Sequence, residues 1–248
     1  MTEYEVEGEI LSSQEFQKSA MAHKLNWLRA GVLGVNDGIV STAGLIFGVA
    51  GATAGQPDAP QAIFVAGVAA LVAGSISMAG GEYTSVSAQK DSELAALDVE
   101  RRELKENPEH ELRELAWFYE QKGLSLETAT IVAKELTAKD ALKAHAEAEL
   151  GIDSDQQVSP GQAAISSFVA FASGSLLPIL AVTGPWVQFR IPATVVAVAL
   201  SLALTGFVGA KIGGAKSGKA IIRNVSVSLL TMGVTYAIGM LFGTATLG

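Results

Sequence analysis

The chain has 248 residues, 49% of them hydrophobic, with 26 glycines, no cysteine and a formal net charge of −8. So apolar a composition in so acidic a chain points away from an ordinary soluble domain, and the lack of cysteine excludes disulfides, thiolate metal sites and thiol redox chemistry. The charge is unevenly placed: residues 89–158 carry 17 Asp and Glu against 9 Lys and Arg, while the remainder balances at 8 against 8.

The opening segment, 1–28, begins with Glu3, Glu5, Glu7 and Glu9, a solvated acidic tail rather than the basic-then-apolar pattern of a cleavable signal. Beyond it, charged residues are missing from 38–57, 59–81, 156–189, 191–210 and 224–248. Each stretch holds one bilayer crossing of roughly 20 residues, so five transmembrane helices are predicted near 31–52, 61–88, 162–182, 191–211 and 222–246. A soluble bundle burying these helices would need amphipathic cover helices, and the pattern has none.

The first crossing contains one carboxylate, Asp37, eight residues beyond Arg29 and so roughly 12 Å into the helix. The second crossing runs the other way, and Glu82 lies eight residues before Lys90, at about the same depth. Met78, four residues before Glu82, shares its helix face. Asp37, Met78 and Glu82 thus offer hard oxygen and soft sulfur ligands of the kind a transition-metal ion accepts, and carboxylates inside a membrane are costly unless functional. G-x-x-x-G steps at Gly34/Gly38 and Gly44/Gly48, and the pair Gly80–Gly81, allow close backbone approach.

Residues 89–158 hold too many carboxylates for lipid and read as an aqueous domain inserted between the second and third crossings. Asn107 as cap, Pro108 at the first helical position, and Gly123 and Gly151 as terminators predict a long helix continuing the second crossing to about Glu106, then helices near 108–122, 125–139 and 139–150. Glu93, Glu100 and Glu103 share one helix face; Glu111 pairs with Glu114, and His145 with Glu149. A face of clustered glutamates repels itself unless a cation occupies it. Glu106, Glu109, Glu120, Glu127 and Glu135 are read instead as solvated, and His110 as a surface residue.

Excess Lys and Arg mark the cytosolic side. Lys18, Lys24 and Arg29 precede the first crossing, and Lys211, Lys216, Lys219 and Arg223 join the fourth to the fifth, whereas loops 53–60 and 183–190 hold only Arg190. The N-terminus, the acidic domain and the 211–223 turn are therefore expected in the cytosol, with the C-terminus on the far side. The expected class is an all-α membrane protein of five transmembrane helices with a cytosolic helical metal-binding domain inserted between the second and third. Its layout is 1–28 cytosolic segment, 29–88 first two helices, 89–158 acidic domain and 159–248 last three helices.

The stretches "GVNDGIVST", "GSISMAGGEYTSVSAQKDSE", "ERRELKENPEHELRELAWFYEQKGLS" and "ALKAHAEAELGID", in this order, resemble the vacuolar iron transporter family, in particular its bacterial branch. The resemblance implies a homodimeric exporter of Fe2+, and of Mn2+, from the cytosol by proton antiport, resident in a bacterial inner membrane. It implies Glu100, Glu103, Glu111, Glu114 and Glu149 as ligands in the aqueous domain and Asp37 and Met78 on the transport path. Two positions depart from the plant-type pattern. His145 and Ala146 stand where that pattern has adjacent methionines, so an imidazole is expected to replace a thioether. Ala70 stands where it has an acidic residue, and Glu82 is read as supplying that charge.

Other classes fit less well. A di-iron carboxylate enzyme favours Glu-x-x-His pairs, and none of His23, His110 and His145 has a Glu three residues before it. A non-transporting metal sensor or scaffold remains an alternative. "GAKIGGAKSGK" lacks P-loop spacing, the acidic domain would repel nucleic acid, and no organic cofactor is expected. The partners expected are divalent metal ions, protons, the bilayer and a second copy of the chain.

Overall fold

A computed structural model of the chain describes residues 31–152 and 159–245. The 1–28 segment and its basic flank at Arg29, residues 153–158 and the last three residues lie outside the described part. All regular structure within it is helical: α1 (Gly31–Ala52), α2 (Ala59–Glu106), α3 (Pro108–Gln121), α4 (Leu126–Ala148), α5 (Pro160–Thr183), a short 3-10 turn (Val187–Phe189), α6 (Arg190–Ile212) and α7 (Ser217–Ala245). Five of these, α1, α2, α5, α6 and α7, are long and apolar enough to cross a bilayer.

The described residues form two compact units, one from the chain up to Gly80 together with Ala164 onward, the other from Gly81 to Ala163. In the first, α1 supplies the largest share of the core: Ile39, Ala43, Ile46, Phe47 and Ala50 pack with Ile63 of α2, Ile179 and Val182 of α5, Val198 and Leu202 of α6 and Met232 of α7. The expected glycine-mediated approach is present where α1 crosses α5. A Cβ on Gly38 would collide with the Phe171 carbonyl oxygen, and one on Gly174 with that of Val35, so only glycine permits this separation. By contrast, a Cβ on Gly81 would meet nothing within 4 Å. The outward faces are apolar, with Leu180, Leu200, Leu204, Leu230 and Leu241 all exposed. Such an exterior belongs against lipid, and the chain is a multi-pass membrane protein.

In the second unit α3 and α4 pack antiparallel-hairpin fashion on Leu115, Ala116, Ala133 and Ala144, with Leu112, Tyr119 and Leu136 around them. Asn107 occupies the N-cap of α3 as expected, but its side chain makes no capping bond; its carbonyl instead accepts from the backbone N–H groups of His110 and Glu111 at 2.9 and 3.2 Å. Ser125 caps α4 through its hydroxyl, which accepts from the Thr128 N–H at 3.3 Å. The two helices expected near 125–139 and 139–150 are present within α4, separated by a non-helical break at Asp140 (φ −164°, ψ 97°), where the Asp140 carboxylate accepts from the Lys143 N–H at 3.0 Å and restarts the helix. α7 begins at Ser217, five residues before the expected 222.

Candidate metal centre

Three elements bring ligating side chains together in the second unit. The α3 start at Pro108 sets Glu111 one turn in, four residues before Leu115 and on the same buried stripe. The restart of α4 at Asp140 sets His145 and Glu149 one turn apart at its C-terminal end. Glu100, on α2, completes the group.

His145 is fully buried and Glu100 only 3% exposed. The His145 Nδ1 lies 2.9 Å from Glu100 Oε1, 3.4 Å from Glu149 Oε2 and 3.9 Å from Glu111 Oε2. Although the first separation is short, it lacks hydrogen-bond alignment: Glu100 Oε1 and His145 Nε2 are both buried without a hydrogen-bond partner. Among the described residues no Lys or Arg pairs with Glu100, Glu111 or Glu149. Burial, above all, pushes the Glu100 carboxyl up to about 7; His145 draws it down, while Glu149, Glu111 and Glu103 push it further up. Buried carboxylates around one imidazole, with orphaned acceptor atoms, form a donor set short of a positive charge. A divalent ion held by oxygen and imidazole nitrogen fits it.

Glu100, Glu111 and His145 each bring a ligand atom within 4.8 Å of the others. His110, Glu111 and Glu114 do the same as a second group, His110 Nδ1 lying 3.4 Å from Glu111 Oε1 and 3.6 Å from Glu114 Oε2. His110 is thus exposed, as its reading as a surface residue expects, yet it stands among carboxylates. Its spacing to Glu114, i to i+4 on one helix, was the available signal. Glu103 is exposed and belongs to neither group; Glu93 is half-buried and accepts from the Gln89 amide at 2.8 Å.

In the first unit Asp37 is exposed on α1 and accepts a hydrogen bond from the Ser41 hydroxyl at 2.9 Å; Met78 is half-buried on α2. Glu82 is exposed and falls in the second unit. A polar contact the sequence reading missed lies one residue from Asp37. Asn36 Oδ1 accepts from the Thr205 hydroxyl of α6 at 3.2 Å and the Asn224 amide of α7 at 3.3 Å. Two asparagines at apolar helix ends were its only trace in the sequence.

Five apolar helices and a buried carboxylate–imidazole cluster define a polytopic helical membrane protein with a group of side chains of the types that ligate metal ions. The chain matches the VIT family over residues 28–240 and belongs to it. It is similar to a vacuolar iron transporter of Acanthamoeba castellanii, 44% identical over 88% of this chain and 79% of that one. It is also similar to vacuolar iron transporter homolog 5 of Oryza sativa subsp. japonica, 35% identical over 90% and 83%, and to vacuolar iron transporter homolog 2 of Arabidopsis thaliana, 32% identical over 88% and 85%. These relatives are eukaryotic, and the match assigns the family rather than its bacterial branch.

Proposed function

We propose that the chain carries Fe2+, and Mn2+ as a second substrate, out of the cytosol in exchange for protons. The reading is carried by one observation: the buried Glu100–Glu111–His145 group, with two orphaned ligand atoms and, among the described residues, no Lys or Arg paired with it. The names of the relatives, vacuolar iron transporters, support iron as the cargo.

On this reading residues 89–158 form a cytosolic domain that captures the ion. α2 supports this, because its 48 residues are more than twice the roughly 20 that one crossing needs, and the charged residues of its C-terminal half belong in water. Glu100, Glu111, Glu149 and His145 hold the ion, with Glu103 and Glu114 at the margins, and Asp37, Met78 and Glu82 accept it along the transport path. The carboxylates there carry a metal ion in one direction and a proton in the other, which couples the two fluxes. The protein works as a homodimer in a bacterial inner membrane, with its N-terminus and the acidic domain in the cytosol and its C-terminus on the far side.

The test is uptake of Fe2+, Mn2+ and Co2+ into proteoliposomes under an imposed pH gradient. Metal-dependent proton flux is expected from the wild type, with loss in Asp37→Ala and weaker uptake at low metal in a Glu100→Gln/Glu103→Gln double variant. Metal binding without any flux would replace the transporter by a membrane sensor or scaffold, and Asp37→Ala at wild-type rate would take that residue off the path.

A further inference from the structure

The hydrogen bonds of Asn36 join three helices at one atom. Its Oδ1 accepts from Thr205, 169 residues away in sequence, and from Asn224, 188 residues away. Polar side chains from separate helices that meet at the apolar ends of those helices hold them in register. α1 is gripped from a second side at the same level, where the Ser175 hydroxyl of α5 donates to the Gly38 carbonyl at 3.3 Å and the missing Cβ of Gly38 admits the Phe171 backbone. Residues 36 and 38 are thereby fixed on either side of residue 37. Successive helical side chains diverge by about 100°, so pinning Asn36 toward α6 and α7 and Gly38 against α5 turns Asp37 outward, where it is exposed with Ser41 as its hydrogen-bond donor.

We propose that Asn36, through Thr205 and Asn224, is a positioning residue that sets the rotation and depth of Asp37 on α1. This rests on the assignment of Asp37 to the transport path. Thr205 has a second acceptor, the Leu202 carbonyl at 3.2 Å, so its loss alone weakens the node less than loss of Asn36.

The experiment measures Mn2+ transport by the full chain in proteoliposomes, resolved into KM and maximal rate per folded transporter. A purely structural role lowers the amount of active protein and hence the maximal rate, whereas a displaced ligand raises KM. Asn36→Ala is expected to raise KM roughly tenfold and the near-isosteric Thr205→Val roughly threefold, while Thr205→Ser, which keeps the hydroxyl, restores the wild-type value. If Asn36→Ala does not fold, the Thr205 pair decides. Wild-type KM in Thr205→Val, with or without a lower maximal rate, overturns the proposal. Asp37→Asn separates the two levels: if it raises KM while Asn36→Ala and Thr205→Val do not, only the node fails; if it too keeps the wild-type KM, the transport path fails first and the node with it.

Discussion

At Glu100, burial and three neighbouring carboxylates oppose ionisation, so the group titrates near 7 and not near 4.5. A folded-state pKa raised above the unfolded value contributes stability that is fully present below about 4.5 and is lost as pH rises through about 7. The contribution is on the order of 3 kcal/mol. The metal-free protein should therefore melt at falling temperature between about pH 4.5 and 7, and Glu100→Gln should flatten that decline; an unchanged slope in the variant would assign it to other groups. Saturating Mn2+ should also remove the decline, because a bound cation favours the ionised form. His145, with Ala146, stands where the resemblance implies a pair of methionines. His145→Ala should weaken Mn2+ binding by at least the roughly 10- to 100-fold that loss of even an outer ligand partner costs, read by calorimetric titration of the purified protein. The pairing of His145 with Glu149 was legible from their i to i+4 spacing. That Glu100 and Glu111 converge on it was not, because helix periodicity assigns a face and leaves open which face meets it.

The α3–α4 hairpin holds Glu111 and His145 through a small core, so its packing is tested apart from its charges. Leu115 is fully buried beside Ala116, Ala133 and Ala144, and Leu115→Ala should cost about 2–5 kcal/mol. Ser125→Ala, which deletes the α4 cap, should cost about 1 kcal/mol. Both are measured by denaturant unfolding followed at Trp117 of α3, with Trp27 and Trp186 replaced by Phe. Equal losses in the two variants would contradict the burial of Leu115. Helix limits were largely legible at this scale: Pro108, Gly123 and Gly151 stop or start helices by backbone chemistry that acts within a few residues, and both glycines do adopt positive φ. α7 starts earlier than its hydropathy because its first residues, Ser217, Gly218 and Lys219, are helical without being apolar, and an apolar count detects the lipid edge rather than the end of the hydrogen-bonded ladder.

For the whole molecule, the absence of cysteine makes sidedness directly testable. Single cysteines at Gln121 and Lys216 should react with an impermeant maleimide from the cytosolic side alone, and one at Gln188 from the opposite side alone; all three positions are exposed. Labelling of Gln121→Cys and Gln188→Cys from one side would reverse the orientation read from the basic residues. What the sequence determined by itself is the set of elements: five charge-free stretches that lipid can accept, an acidic segment that it cannot, and caps that divide that segment into helices. These depend on composition and local spacing, whose energies are fixed before any long-range contact forms. Only the tertiary structure decided which side chains converge, bringing Glu100, Glu111 and His145 to one buried point, His110 to its edge, and Asn36 to Thr205 and Asn224 across as many as 188 positions. Those choices depend on how one helix rotates against another, and that is set by packing between residues far apart in the chain, where periodicity carries no information.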